Sequence, residues 1–361
     1  MKILCLHGRG SSGAIFKSQT SSIRSRLTDL NLTFDFIDGP YPCSPAPGLD
    51  LFYKGPCYSF YPDIKTEDKT PIANTDIDVI LKAQGWLEGV IRDRGPYDMI
   101  LGFSQGTAVA SAGLLLYAAQ VQAQAQSASK SPSPSAPYQL QTPDENEDGE
   151  YAKREMFPPP PFKSAIFICG GASLPLLEHI GYTISPLTKA RDTASRAALK
   201  AMASSESILS HGSNRWTGSG LDFPSISIPN TYPYSFTNPY PTPLPTPSLV
   251  QGQGQNPGPS LGLSLDGTLS SSLPPAPSLT SESDIRREMV GPVKISIPTV
   301  HIYGERDPRY VAGIQLSELC DRAKRKVYNH GGGHEIPRFE AVSGALADLV
   351  RWAVRAAEES W

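Results

Sequence analysis

Apolar residues fall into short continuous runs separated by stretches of helical spacing. Residues 2–7 (KILCLH) make a run of strand length that ends in a Gly/Ser turn. Ile15, Phe16, Ile23, Leu27 and Leu30 then recur at mostly helical spacing, predicting a helix over 15–30. Residues 33–38 (TFDFID) alternate as a strand does and stop at Gly39-Pro40. Ile77, Ile80, Leu81, Leu87, Val90 and Ile91 stripe a predicted helix over 75–93. A buried strand at 97–103 (YDMILGF) leads into a small-residue, Leu-rich helix at 107–119, and 163–169 (KSAIFIC) repeats the strand pattern. Towards the C-terminus come strand 297–303, helix 311–320, strand 325–328 and helix 339–357. Strands buried on both faces and alternating with helices predict an α/β fold, a mostly parallel sheet covered on both sides.

Two stretches break the pattern. Residues 120–161 are Gln/Ala/Ser/Pro-rich with an acidic knot at 144–148, and 204–280 are Pro/Ser/Gly-rich. Neither can bury enough apolar surface to order itself, so both read as low-complexity insertions, the first disordered at 120–161 and the second spanning 204–290. That explains why only 39% of the 361 residues are hydrophobic and why the chain holds 35 prolines. The remaining core of about 240 residues suits a single domain running 1–361 around the insertions. A net charge of −3 offers no basic field for nucleic acid. Five scattered cysteines without a CxxC pair argue against a disulfide framework and against a zinc site. The opening MKILCLHG is too short an apolar run for a signal peptide, and no stretch is long enough to span a bilayer. A soluble, cytoplasmic protein is expected.

Two glycine motifs compete for the chemistry. Gly8-Arg9-Gly10-Ser11-Ser12-Gly13 fits G-x-G-x-x-G after a strand, with Asp35 or Asp38 following as in a dinucleotide site. Glycines suit any tight strand-to-helix turn, and nothing later resembles a hydride-transfer site. Gly102-Phe103-Ser104-Gln105-Gly106 fits G-x-S-x-G between an apolar strand and a helix of small residues, the context that a nucleophilic serine on a sharp turn requires. Such a serine needs a base, and the base an orienting acid. In α/β-hydrolases they follow in the order Ser, Asp/Glu, His, each just past a strand. Asp307 lies past strand 297–303, with Glu305 a rival on the same loop; past strand 325–328, either His330 or His334 could be the base. A metal held by that histidine pair is excluded by the three intervening glycines, which cannot fix a helical i, i+4 geometry. His301 and Cys169 lie in strands and read as packed side chains. The backbone amide of Gln105, next after the nucleophile, is the expected first oxyanion donor, and that of Arg9, in the turn after the first strand, the second.

These residues resemble the fungal serine hydrolase family. Its members carry an LHG-x-G turn (Leu6 to Gly10), a D-G-P signature (Asp38 to Pro40), a GFSQG elbow (Gly102 to Gly106), an H-x-YG-x-x-D segment (His301 to Asp307) and a GGH-x-x-P segment (Gly332 to Pro337). The resemblance implies Ser104, Asp307 and His334 as catalytic residues, a serine esterase or thioesterase and no cofactor. Several members act beside polyketide synthases. A role in secondary-metabolite biosynthesis is thereby implied, the enzyme releasing a polyketide from a carrier-protein thioester. The same triad could instead transfer the acyl group to an alcohol or amine. Dinucleotide-dependent redox chemistry, or a catalytically silent scaffold whose proline-rich stretch makes contacts, are the alternatives from other classes. The aromatic, proline-rich residues 41–62 either line an acyl pocket or form a plain packed loop.

Overall fold

The computed structural model describes residues 1–63, 76–129, 160–202 and 281–359. By contacts the chain divides into a unit of Met1–Gly220 with Ser283–Trp361 and a unit of Leu221–Glu282, the second almost wholly outside the described residues.

Six strands form one parallel sheet in the order β2-β1-β5-β6-β7-β8: β1 Lys2–Leu6, β2 Thr33–Ile37, β5 Met99–Phe103, β6 Ser164–Ile168, β7 Thr299–Tyr303 and β8 Arg325–Asn329. Every predicted strand is present. Alternation along each strand feeds two cores. Leu4, Leu6, Ile100, Ala165 and Phe167 face one side, against α3 (Ile77–Arg94), α4 (Gln105–Ser129) and α5 (Leu174–His179). Ile3, Cys5, Met99, Leu101, Ile166, Ile168, Val300 and Ile302 face the other, against α1 (Gly13–Gln19), α2 (Ser21–Arg24) and α9 (Glu340–Glu359). Each fully buried Leu, Ile or Phe contributes about 1.5–3 kcal/mol relative to exposure, so this double-faced burial is the main source of the sheet's stability. The remaining helices are α6 (Pro186–Met202), α7 (Glu282–Arg287) and α8 (Tyr310–Glu318).

Three predicted stretches differ in the structure, and α5, α6 and a small β-ribbon are additional to the sequence reading. The helix predicted over 15–30 is broken at Thr20, whose hydroxyl donates to the Phe16 carbonyl at 2.9 Å and competes with continuation of the ladder. Helix α4 runs ten residues into the stretch read as disordered from 120, because its Ala/Gln run is a strong helix former even where it buries little. At the end of the second insertion, α7 lies within 204–290, and Ile285 and Met289, one helical turn apart, are buried. Most of the rest of both insertions lies outside the described residues.

The strand order reverses between β1 and β5, and at such a switch point the carboxyl ends of the strands leave a crevice. A small antiparallel ribbon, β3 (Tyr41–Cys43) with β4 (Cys57–Ser59), sits outside the main sheet. Among the described residues no helix is long and apolar enough to cross a membrane.

Candidate active site

Ser104 sits between β5 and α4 with φ 53°, a left-handed conformation that L residues hold at a cost. Its flanking glycines explain the turn. A Cβ on Gly102 would lie 2.6 Å from the Thr107 nitrogen, and one on Gly106 would overlap the Leu6 carbonyl of β1. The Ser104 amide donates to Ile168 O at 2.9 Å, and the Thr107 hydroxyl donates to Gly102 O at 2.8 Å, fastening the turn to β6 and β5. Oγ is thereby carried at the positive end of α4, which favours developing negative charge.

The loops after β7 and β8 converge on that hydroxyl. His334 Nε2 lies 2.8 Å from Ser104 Oγ, and His334 Nδ1 lies 3.0 and 2.9 Å from the Asp307 carboxylate oxygens. The Asp307 side chain is fully buried and also accepts the Arg309 amide at 2.7 Å. The two loops are clasped at Gly304, where a Cβ would overlap Gly332 O, and the Arg306 amide donates to Gly332 O at 3.0 Å. His330 is excluded from this relay. Its Nδ1 accepts the Gly332 amide at 3.2 Å, its Nε2 faces Cys169 Sγ at 3.7 Å, and burial lowers its pKa to about 4. Glu305 is exposed, whereas Asp307 is buried against the histidine.

The first turn lies against the elbow, since a Cβ on Gly8 would come within 3.4 Å of Ser104 Cβ. Among the described residues the Arg9 and Gln105 amides have no acceptor. The Arg9 side chain pairs with Asp63 at 2.8 Å. Both acids of the dinucleotide reading are engaged elsewhere: Asp38 accepts the Gly13 amide at 2.8 Å, and Asp35 pairs with Arg94 and the Tyr97 hydroxyl.

Residues 1–249 and 269–345 match the profile of the serine hydrolase (FSH1) family. The chain belongs to that family. This serine hydrolase is 25% identical over 362 residues to esterase alnB of Emericella nidulans, an alignment covering 98% of the chain and 96% of that protein. It is 23% identical to esterase FPY3 of Fusarium mangiferae, over 94% of the chain and 89% of the relative. Hydrolase phiM of Talaromyces stipitatus is 36% identical over 122 residues, 33% of the chain and 46% of phiM. The family and these relatives make the protein a serine hydrolase of the esterase kind, here on a parallel α/β sheet.

In this serine hydrolase the motifs also tie the site together, which their spacing did not reveal. Gln105 Oε1 accepts the Phe60 amide at 2.9 Å while its Nε2 donates to Ser59 Oγ at 3.0 Å. One residue earlier, Tyr58 accepts the Gly10 amide and donates its own amide to Ser11 O. Strand β4 therefore links the Gln105 side chain to the turn that carries Arg9. His7, fully buried, donates from Nδ1 to Gly8 O at 2.7 Å and accepts the Gly39 amide at Nε2, so LHG and DGP meet through one imidazole. Burial lowers its pKa and keeps it neutral for that double role. Residues 41–62 are in part a packed loop. Phe60 and Tyr61 are fully buried, with Phe60 packed on His7 and Trp86, while Leu51 and Phe52 are exposed.

Proposed function

We propose that this chain cleaves acyl esters or thioesters with Ser104 as nucleophile, His334 as general base and acid, and Asp307 as orienting acid. The observation that carries the reading is the unbroken relay from Ser104 Oγ through His334 to a buried carboxylate, at 2.8 and 2.9 Å. As Oγ attacks the carbonyl carbon, Nε2 takes its proton, and Asp307 stabilises the imidazolium that forms. The amides of Arg9 and Gln105 receive the oxyanion in a site where donors are fixed before reaction. Nε2 then protonates the leaving alcohol or thiol, and water clears the acyl-enzyme by the same steps in reverse. One α/β-hydrolase domain carries this chemistry, with the insertions appended to it.

The finer reading is release of an acyl chain, a polyketide, from the thioester of a carrier protein in the cytoplasm. The family resemblance supports it, and five unpaired cysteines suit a reducing compartment. Labelling of the intact protein by a fluorophosphonate, beside Ser104→Ala, tests the core claim by mass spectrometry. A single adduct lost in the variant is expected; none on folded protein would overturn the reading. Comparing acyl-pantetheine thioesters with oxygen esters of the same chain then tests the finer one, which requires the thioester to be turned over at least as fast.

A further inference from the structure

Cys169 follows β6 in a left-handed conformation, φ 48°, beside the relay. Its Sγ, an Asp307 carboxylate oxygen and a His334 ring nitrogen all lie within 4.8 Å of one another, and the nitrogen that faces Asp307 is Nδ1. The three come from the ends of three neighbouring strands, β6, β7 and β8, so no sequence spacing brings them together. Tetrahedral zinc sits about 2.3 Å from sulfur and about 2.0–2.2 Å from nitrogen or oxygen, which separates its donors by roughly 3.3–3.7 Å. Movements of about an ångström by side chains would therefore close this set around an ion.

We propose that Cys169, Asp307 and His334 Nδ1 form an inhibitory site for Zn2+ and chemically similar divalent cations. Thiolate, imidazole and carboxylate are the donors that zinc prefers, with water as the fourth ligand. Thiolate and carboxylate together balance the charge of the ion, as a buried site needs. His330 does not join, because its Nδ1 accepts the Gly332 amide and its proton therefore faces Cys169 from Nε2. The proton balance explains the inhibition. The Cys169 thiol releases one proton to solvent as the S–metal bond forms. The imidazole proton leaves Nδ1, where the metal binds, and moves to Nε2. The nitrogen that must accept the Ser104 proton is then already protonated, and Asp307 is drawn from the histidine to the ion. The inhibitory part rests on the proposed triad, whereas the binding part rests on the donor geometry alone.

Two readouts separate those parts. The first is Cd2+ titration of metal-free protein, followed by the ultraviolet thiolate-to-cadmium charge-transfer band, in a form with Cys5, Cys43, Cys57 and Cys320 replaced by alanine. One band-forming site per chain is expected, absent on adding Cys169→Ala. The second is the rate of fluorophosphonate labelling against Zn2+. Losing an outer-shell partner weakens a metal site about 10–100-fold, so losing the thiolate should raise the half-inhibitory Zn2+ concentration at least about tenfold. Cys169→Ser, checked by circular dichroism, serves if the alanine variant does not fold. A cadmium band that survives removal of Cys169, or a half-inhibitory concentration unchanged by it, overturns the proposal. Metal-free protein that takes no label counts against the hydrolase reading, and the cadmium band still decides the metal site.

Discussion

In the proposed triad Asp307 and His334 share one hydrogen-bonded contact, and its consequences can be tested one atom at a time. Asp307→Asn keeps the shape of the acid but turns a purely accepting group into one that can donate to Nδ1, so the imidazole is held in the wrong tautomer. A fall of about 10⁴-fold in kcat on a 4-nitrophenyl ester is expected, with the fluorophosphonate rate falling alongside it. Ser104→Ala and His334→Ala should each lose at least as much. His330→Asn is the informative contrast, because His330 touches the Gly332 amide and Cys169 but not Ser104. Labelling within about tenfold of the parent is expected there. A loss on the scale of His334→Ala would show that spacing, which left the two histidines equal, had been resolved the wrong way by geometry.

At the scale of elements, the turn after β1, proposed to carry an oxyanion donor, and the elbow are held by a strand belonging to neither. The Gln105 side chain grips Ser59 of β4 and Phe60 just after it, and Tyr58 of β4 grips Gly10 and Ser11. Gln105→Ala keeps the amide proposed to meet the oxyanion but releases that grip. Removing a whole oxyanion donor costs about 10²–10³-fold, so loosening one should lower kcat by about 10–10²-fold with KM changed little. Binding of a boronic acid that mimics the tetrahedral state should weaken in parallel. A rise in KM alone would place Gln105 in substrate binding instead. The elbow itself was legible from sequence because steric demands fix it: only glycine fits where Gly106 meets Leu6 O. The parallel strands were legible because burial on both faces leaves unbroken apolar runs such as MILGF. The β3–β4 ribbon was not, since three-residue strands among prolines carry no periodicity. Cys169 looked like any core thiol, because what distinguishes it is the convergence of three strand ends.

For the whole molecule, the buried histidines set how stability responds to acid. His7, His301 and His330 all have pKa values lowered by burial, His330 to about 4 and His301 to about 3. They are neutral when folded and titrate near 6.5 when unfolded, so below pH 6.5 the unfolded chain binds more protons. Their contribution is complete above that value and is lost as pH falls towards the folded pKa values, at up to about 1.4 kcal/mol per pH unit for each. Asp192 and Glu318 act at lower pH. Burial raises their pKa values but is outweighed by Arg309 and Arg196 around the first and by Arg325 and Arg286 around the second, so both end below the ordinary carboxylate range. Stability should therefore begin to fall near pH 6.5, well before Asp192 and Glu318 are protonated. His301 isolates the effect, being fully buried against Phe167 with Nδ1 unpartnered among the described residues. His301→Phe should reduce the slope of unfolding free energy between pH 6 and pH 4 by up to one proton, whatever it does to stability at pH 8. Urea unfolding followed at several pH values measures that slope. An unchanged slope would mean that the folded protein admits the proton at His301, and that burial there does not hold the imidazole neutral.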